Sequence, residues 1–138
     1  MGKYVIFVHA NADAEAGKMP PTQEFIDMGA FNTELKNAGV LLFVDGLARS
    51  AQGARVTFSD TDPQVQNGPF QLENLVSGFW ILQPESLDEA VAWAKKIPFK
   101  TGSVEIRKVA GPEDFSAEFT EELKAKKEEL RRKVEGLA

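Results

Sequence analysis

Residues 3–9, Lys-Tyr-Val-Ile-Phe-Val-His, set the tightest constraint on the fold. The run is rich in β-branched and aromatic residues and apolar on both alternating faces, which suits a central strand covered on two sides. Gly78 to Gln83, Gly-Phe-Trp-Ile-Leu-Gln, has the same character, and Pro84 closes it. Strands of this kind need a sheet with a cover on each face.

The remaining elements follow from local signals. Ala10 to Pro21 reads as a loop longer than a tight turn, with small residues, Gly17 and the Pro20-Pro21 pair. Thr22 is a candidate cap for a helix to about Asn37, with Phe25, Met28, Phe31 and Leu35 as its apolar stripe and Gly39 ending it. Val40 to Asp45 reads as a second strand, broken by Gly46-Leu47, and Arg55 to Ser59 as a third. Asp60 to Gly68 is polar and turn-prone, as in a hairpin excursion. Ser86 and Glu89 have capping-box spacing, and Leu87, Ala90, Val91, Ala94 and Ile97 recur at helical spacing until Pro98. Ser103 to Val109 alternates Val104 and Ile106 against Glu105 and Arg107, so this strand has one charged face. From Phe119 to Leu137 a narrow stripe of Phe119, Leu123, Leu130, Val134 and Leu137 predicts a helix, with Glu122–Lys126, Glu128–Arg132 and Glu129–Lys133 at i,i+4.

That order is the order of an α+β, ferredoxin-like sandwich, an antiparallel sheet with two helices on one face. The 138 residues are expected to form a single domain over 1–138, with 112–138 as a helical C-terminal extension. The second sheet face would be a large wet apolar patch if left bare. Two subunits placing their sheets together would cover it, so a twofold homodimer with pockets between sheet, loops and partner is expected.

Composition removes whole classes of chemistry. With no cysteine there is no disulfide, thiolate nucleophile or cysteine zinc site. A single histidine leaves mainly carboxylates for any metal, so neither a metal nor a cofactor is expected. A formal charge of −5, from 16 Lys plus Arg against 21 Asp plus Glu, disfavours nucleic acid as a partner. The one basic cluster, Lys124 to Lys133, is interleaved with glutamates and reads as a solvated helix face. No apolar run approaches the roughly 18 residues of a membrane span, and the start leads directly into a strand, so a cytoplasmic protein is expected. Glycine-rich phosphate loops, Ser-His-Asp order and EF-hand spacing are all missing.

Several segments in order resemble the YCII-related family, in its DGPF-motif branch. They are Tyr4 to Val8, Glu15-Ala16-Gly17, Met19-Pro20, Ala38-Gly39-Val40, Gly46-Leu47 and Gly53-Ala54-Arg55-Val56. Gly68-Pro69-Phe70, Gly78-Phe79-Trp80, Glu89-Ala90 with Trp93, Glu105-Ile106-Arg107 and Glu113-Asp114-Phe115 continue the series. The resemblance implies a dimeric α/β barrel of ferredoxin-like subunits and says little about a reaction. Asn67 stands where the motif has Asp, which removes a base and a metal ligand. Gln71-Leu72-Glu73-Asn74 replaces the usual charged residues, and Asp45 stands where the family often has Glu. Thr22-Gln23-Glu24 occupies the place of the histidine in the His–Asp site that the YCII branch resembles, so that dyad does not carry over.

Within the chain's own residues, His9 at the end of the first strand reads as a general base oriented by Asp45, or as a surface histidine. Arg107 reads as an anion clamp with Glu105 beside it, or as one side of an exposed ion pair. Arg55, Asn67 and Trp80 form a second candidate group; Asn67-Gly68 is also a turn signal and Trp80 also a core residue. Glu15 is a lid residue or an ordinary loop carboxylate. The C-terminal stripe reads as packing on the body or on a partner subunit. The functional expectation is a small-molecule-binding homodimer doing cofactor-independent proton transfer, as a lyase, isomerase or dehydrochlorinase-like enzyme, on a small aromatic or acidic substrate. The alternatives are a non-catalytic ligand-sensing or regulatory module and a pure scaffold.

Overall fold

A computed structural model describes residues 2–136, and the chain divides into two compact units, Met1–Lys108 and Val109–Ala138. In the first unit the elements are β1 (Tyr4–His9), α1 (Ala12–Glu15), α2 (Thr22–Asn37), β2 (Leu41–Gly46), β3 (Ala54–Thr57), β4 (Gln64–Asn67), β5 (Val76–Leu82), α3 (Leu87–Lys95) and β6 (Val104–Lys108). Four strands form one antiparallel sheet in the order β2-β5-β1-β6. The two doubly apolar strands, β1 and β5, are its centre. Interleaved with α2 and α3, this is the ferredoxin-like α+β arrangement that the order of elements predicted.

Alternation along the strands decides which side chains meet the helices. Ile6, Trp80 and Leu82 point to one side and join Phe31 and Leu35 of α2, Val40 and Ile97 in a single buried cluster. Leu35 and Leu82 have no exposed surface, so truncating either to alanine is expected to cost about 2–5 kcal/mol. Val5, Phe7, Phe79 and Ile81 therefore point to the other side. Phe43 lies there too, opposite Ile81 and stacked on Phe79 with ring centroids 5.7 Å apart. Half of the Phe43 surface is exposed. Register places Glu105 against Phe7 and Arg107 against Val5, so their charged face is this same open side.

The structure corrects several local expectations. The Ala10 to Pro21 segment contains a helical turn, α1, capped by Asn11 Oδ1, which accepts from Ala14 N at 2.8 Å. Thr22 is the first residue of α2 and makes no cap; Pro21 precedes it. Phe25 leaves the apolar stripe and is 54% exposed, because only Met28, Phe31 and Leu35 face the sheet. The expected third strand pairs with β4 in a separate two-stranded hairpin instead of joining the main sheet. The capping box of α3 is half formed: Ser86 Oγ accepts from Glu89 N, whereas the Glu89 carboxylate accepts from Glu85 N. A bulge also lies in the centre of the sheet. Val8 opposes Gly78 and His9 opposes Val76, so Ser77 is an extra residue on β5.

In the second unit, α4 (Glu121–Val134) follows Thr120, whose Oγ1 accepts from Leu123 N. All three expected i,i+4 pairs form, Lys126–Glu122, Arg132–Glu128 and Lys133–Glu129. Lys127 lies over the rings of Phe115 and Phe119, which are 4.8 Å apart. Leu130 and Val134 are exposed, and Leu137 lies outside the described residues.

Candidate functional site

A cavity of about 380 Å³ opens at the end of the sheet where β1 and β2 finish and β5 begins. Its volume is in the range of small-ligand sites. Val8 to Asn11 line it from the end of β1, Val44 to Gly46 from β2 and Ser77 to Trp80 from β5. Met28 of α2 and the loop residues Phe99 and Thr101 to Ser103 complete the wall. Trp80 reaches this wall from the core. It is 3% exposed, and its indole N–H donates to Asn32 Oδ1 at 2.8 Å, so its polar atom is satisfied inside the protein.

His9 lies in this wall, 2.7 Å from Nδ1 to the Ser103 hydroxyl oxygen. Ser103 is delivered by the turn at Gly102, whose φ of +95° is backbone that glycine tolerates and other residues avoid. The hydroxyl accepts from the ring or donates to it according to tautomer, and either bond restrains the imidazole and leaves Nε2 for a ligand. A second bond, from His9 N to the Ser103 carbonyl at 3.2 Å, ties the two backbones.

Asp45 lines the same cavity but does not orient His9. Strand β5 lies between β1 and β2, so the two residues are about 9.6 Å apart across the sheet. Along β5 their register partners, Val76 and Phe79, add about another 10 Å of offset. Asp45 Oδ1 instead accepts from Gly46 N at 3.1 Å.

Other candidates fall elsewhere. Arg107 Nη1 lies 3.2 Å from Glu105 Oε2 on the exposed sheet face, and neither residue lines the cavity. Arg55 and Asn67 separate from Trp80 and belong to the β3–β4 hairpin. There Ser50 is the hub, and Glu15 is its partner. The Glu15 carboxylate accepts from Ser50 N at 2.9 Å and from Ser50 Oγ at 2.5 Å, while Ser50 Oγ accepts from Phe70 N at 2.9 Å. The Ser50 side-chain bond, then its backbone bond, holds the Glu15 carboxyl below its ordinary pKa, with Arg49 adding to the effect. Arg55 places its guanidinium 3.9 Å above the Phe70 ring. Gly68 packs so tightly that a Cβ there would fall 1.7 Å from the Ser50 carbonyl oxygen. Glu15, Arg55 and the Gly68-Pro69-Phe70 segment thus anchor the hairpin, and the cavity is built by other residues. Ser50, Ser103 and Asn32 were not among the residues singled out from the sequence.

Among the described residues, no group of three or more histidine, aspartate or glutamate side chains is placed to hold a metal ion. No helix among them is long and apolar enough to cross a membrane.

Comparison with known protein families matches residues 2–115 to the YCII-related domain. The chain belongs to the YCII-related family. Its YCII-related domain includes every residue of the cavity and of the hairpin anchor, and extends past Lys108 to Phe115. Among curated proteins, none matches the chain.

Proposed function

We propose that this YCII-related protein binds a small, largely apolar aromatic molecule in the cavity and moves a proton with His9. The observation that carries the reading is the 2.7 Å contact between His9 Nδ1 and Ser103 Oγ in a wall shared with Trp80 and Phe99. A restrained imidazole beside aromatic surfaces has the parts of a general base with a binding site. Arg107 is left out of this site, so the anion clamp and the acidic substrate are dropped.

Assembly is the second part of the proposal. Two copies of the open face, with Val5, Phe7, Phe43, Phe79 and Ile81, would cover each other in a homodimer of the dimeric α/β-barrel kind. Membership of the DGPF-motif branch is proposed with it, supported by the Gly68-Pro69-Phe70 packing on Ser50. Sedimentation is expected to show a dimer for the wild type and a monomer for Phe43→Glu. A monomeric wild type at micromolar concentration overturns this part.

A ligand-sensing module without turnover is the second reading. It is favoured by the partner of His9, a neutral hydroxyl that stabilises an imidazolium less than a carboxylate would. One experiment separates them. Neutral aromatic ketones are added in D2O, and both the His9 ring resonances and exchange at the carbon beside the carbonyl are followed by NMR. Shifted ring signals with exchange lost in His9→Gln support catalysis; shifted signals without exchange support the sensor. Unmoved signals across the series sink the site itself.

A further inference from the structure

The β3–β4 hairpin is a ribbon with two unlike faces. Val56 and its cross-strand partner Val65 share one face, and Arg55, Thr57, Gln64 and Gln66 share the other. The apolar face is bare: Val56, Val65 and Phe58, two residues beyond Val56, are 50%, 66% and 77% exposed. A two-stranded ribbon is marginally stable in water by itself, yet the Ser50 hub fixes the root of this one. The tip from Ser59 to Pro63 carries Asp60 and Asp62 and no cation. At the other edge of the main sheet, where β6 begins, Lys95 and Lys100 line a depression with Thr101 and Ser103 and without any carboxylate. From these features we infer that the hairpin is an arm that embraces a second copy of the chain, laying Val56, Phe58 and Val65 against it and the acidic tip in the lysine-lined depression of that copy.

Area and topology both point to a second copy. The open sheet face offers Val5, Phe7, Phe43, Phe79 and Ile81, far fewer than the roughly 20–30 residues that each side of a stable interface supplies. The arms bring more apolar surface to the same assembly. Strands β2 and β6 are opposite edges of the sheet, and the end at which β2 finishes is the end at which β6 begins. The hairpin, which lies between β2 and β5 in the chain, is rooted at that end. A twofold axis running along the strands between two facing sheets therefore sets the root of each arm beside the depression of the other copy. At about 3.4 Å per residue, Ala54 to Ser59 spans about 20 Å, enough to cross the roughly 10 Å between packed sheets. Opposite charges at the tip and in the depression then fix the direction in which the arm is laid. The inference rests on the homodimer proposed above and names the surface by which that dimer closes.

Sedimentation of the full chain tests it. Phe58→Ser is expected to weaken the dimer about a hundredfold, since each dimer buries the side chain twice. Phe58 is outside the buried core, so the fold is expected to stand, as circular dichroism would show. Asp60→Lys with Asp62→Lys, and separately Lys95→Glu with Lys100→Glu, are each expected to weaken the dimer about tenfold. An equimolar mixture of these two double variants is expected to regain the wild-type affinity as a heterodimer, because tip and depression are again of opposite sign at both contacts. A mixture no tighter than its components overturns the assignment of the tip to the depression. A Phe58→Ser dimer as tight as the wild type overturns the arm and leaves the bare ribbon face to a different occupant, while the sheet-to-sheet dimer survives if Phe43→Glu is monomeric. A monomeric wild type removes the homodimer and the arm together.

Discussion

Glu15 grips Ser50 at two points, the backbone N–H and the hydroxyl, across 35 residues of sequence. The same serine oxygen then accepts from Phe70 N, so α1, the loop before β3 and the segment after β4 share one hub. The carboxylate must be ionised to accept both bonds. Since its folded pKa lies below the ordinary value of 4.5, its contribution to stability is complete above that value and is lost as pH falls through the folded one. Glu15→Gln should therefore lower the melting temperature at neutral pH, and the gap from wild type should close on acidification below the ordinary glutamate range. Thermal melts across that range check it; a gap that is constant or widens in acid is the wrong result.

Gly68 tests the same hub by volume. The place a Cβ would take is the space that the Ser50 carbonyl occupies, and the obstacle is backbone, so it cannot swing aside. Gly68→Ala is expected to cost about 1–3 kcal/mol, read as a drop in the urea midpoint. Gly29 in α2 is the contrasting case, where a Cβ would have nothing within 4 Å. There Gly29→Ala is expected to stabilise by about 0.5–1 kcal/mol through helix propensity alone.

Asn32 gives the indole N–H of Trp80 its partner at 2.8 Å. Asn32→Ala strands that donor in the core and is expected to cost about 1–3 kcal/mol. Chemical denaturation followed by tryptophan fluorescence measures it. A loss within experimental error would show that the indole N–H finds another acceptor.

Ser103→Ala removes the hydroxyl from His9 with little effect on the core, so a stability change below about 1 kcal/mol is expected. The informative readout is the imidazole itself. The chain has one histidine, so its ring nitrogens give a single set of NMR signals. Their tautomer ratio should move toward that of a free imidazole, and an unchanged spectrum would mean that Ser103 does not restrain the ring.

The main sheet was legible because its cues are local: residues 3–9 and 78–83 are apolar on two faces, and the Val104 to Arg107 alternation marks a one-sided edge. The helix around Ala90 was legible for the same reason. The site was legible in pieces only. His9 stood out as the lone histidine, whereas Ser103, its partner, is 94 residues away and becomes visible only once β1 is known to pair with β6. Asp45 suggested itself as an orienter because β2 follows β1 in sequence, but β5 returns between them and sets the two apart. Glu15, Arg55 and Gly68 drew attention as family-like residues, and the structure gives them packing and anchoring roles that no short pattern distinguishes from chemistry.

The bulge at Ser77 has a consequence for the strand that carries it. Strand faces alternate strictly, so one surplus residue in β5 shifts the facing of Val76 and the residues before it relative to Gly78 and those after it. His9 thereby opposes Val76, and Ser77 borders the cavity as the residue that the pairing with β1 leaves over. A deletion at this one position would exchange the β5 side chains at the cavity's edge while leaving the β1 side chains facing as they do.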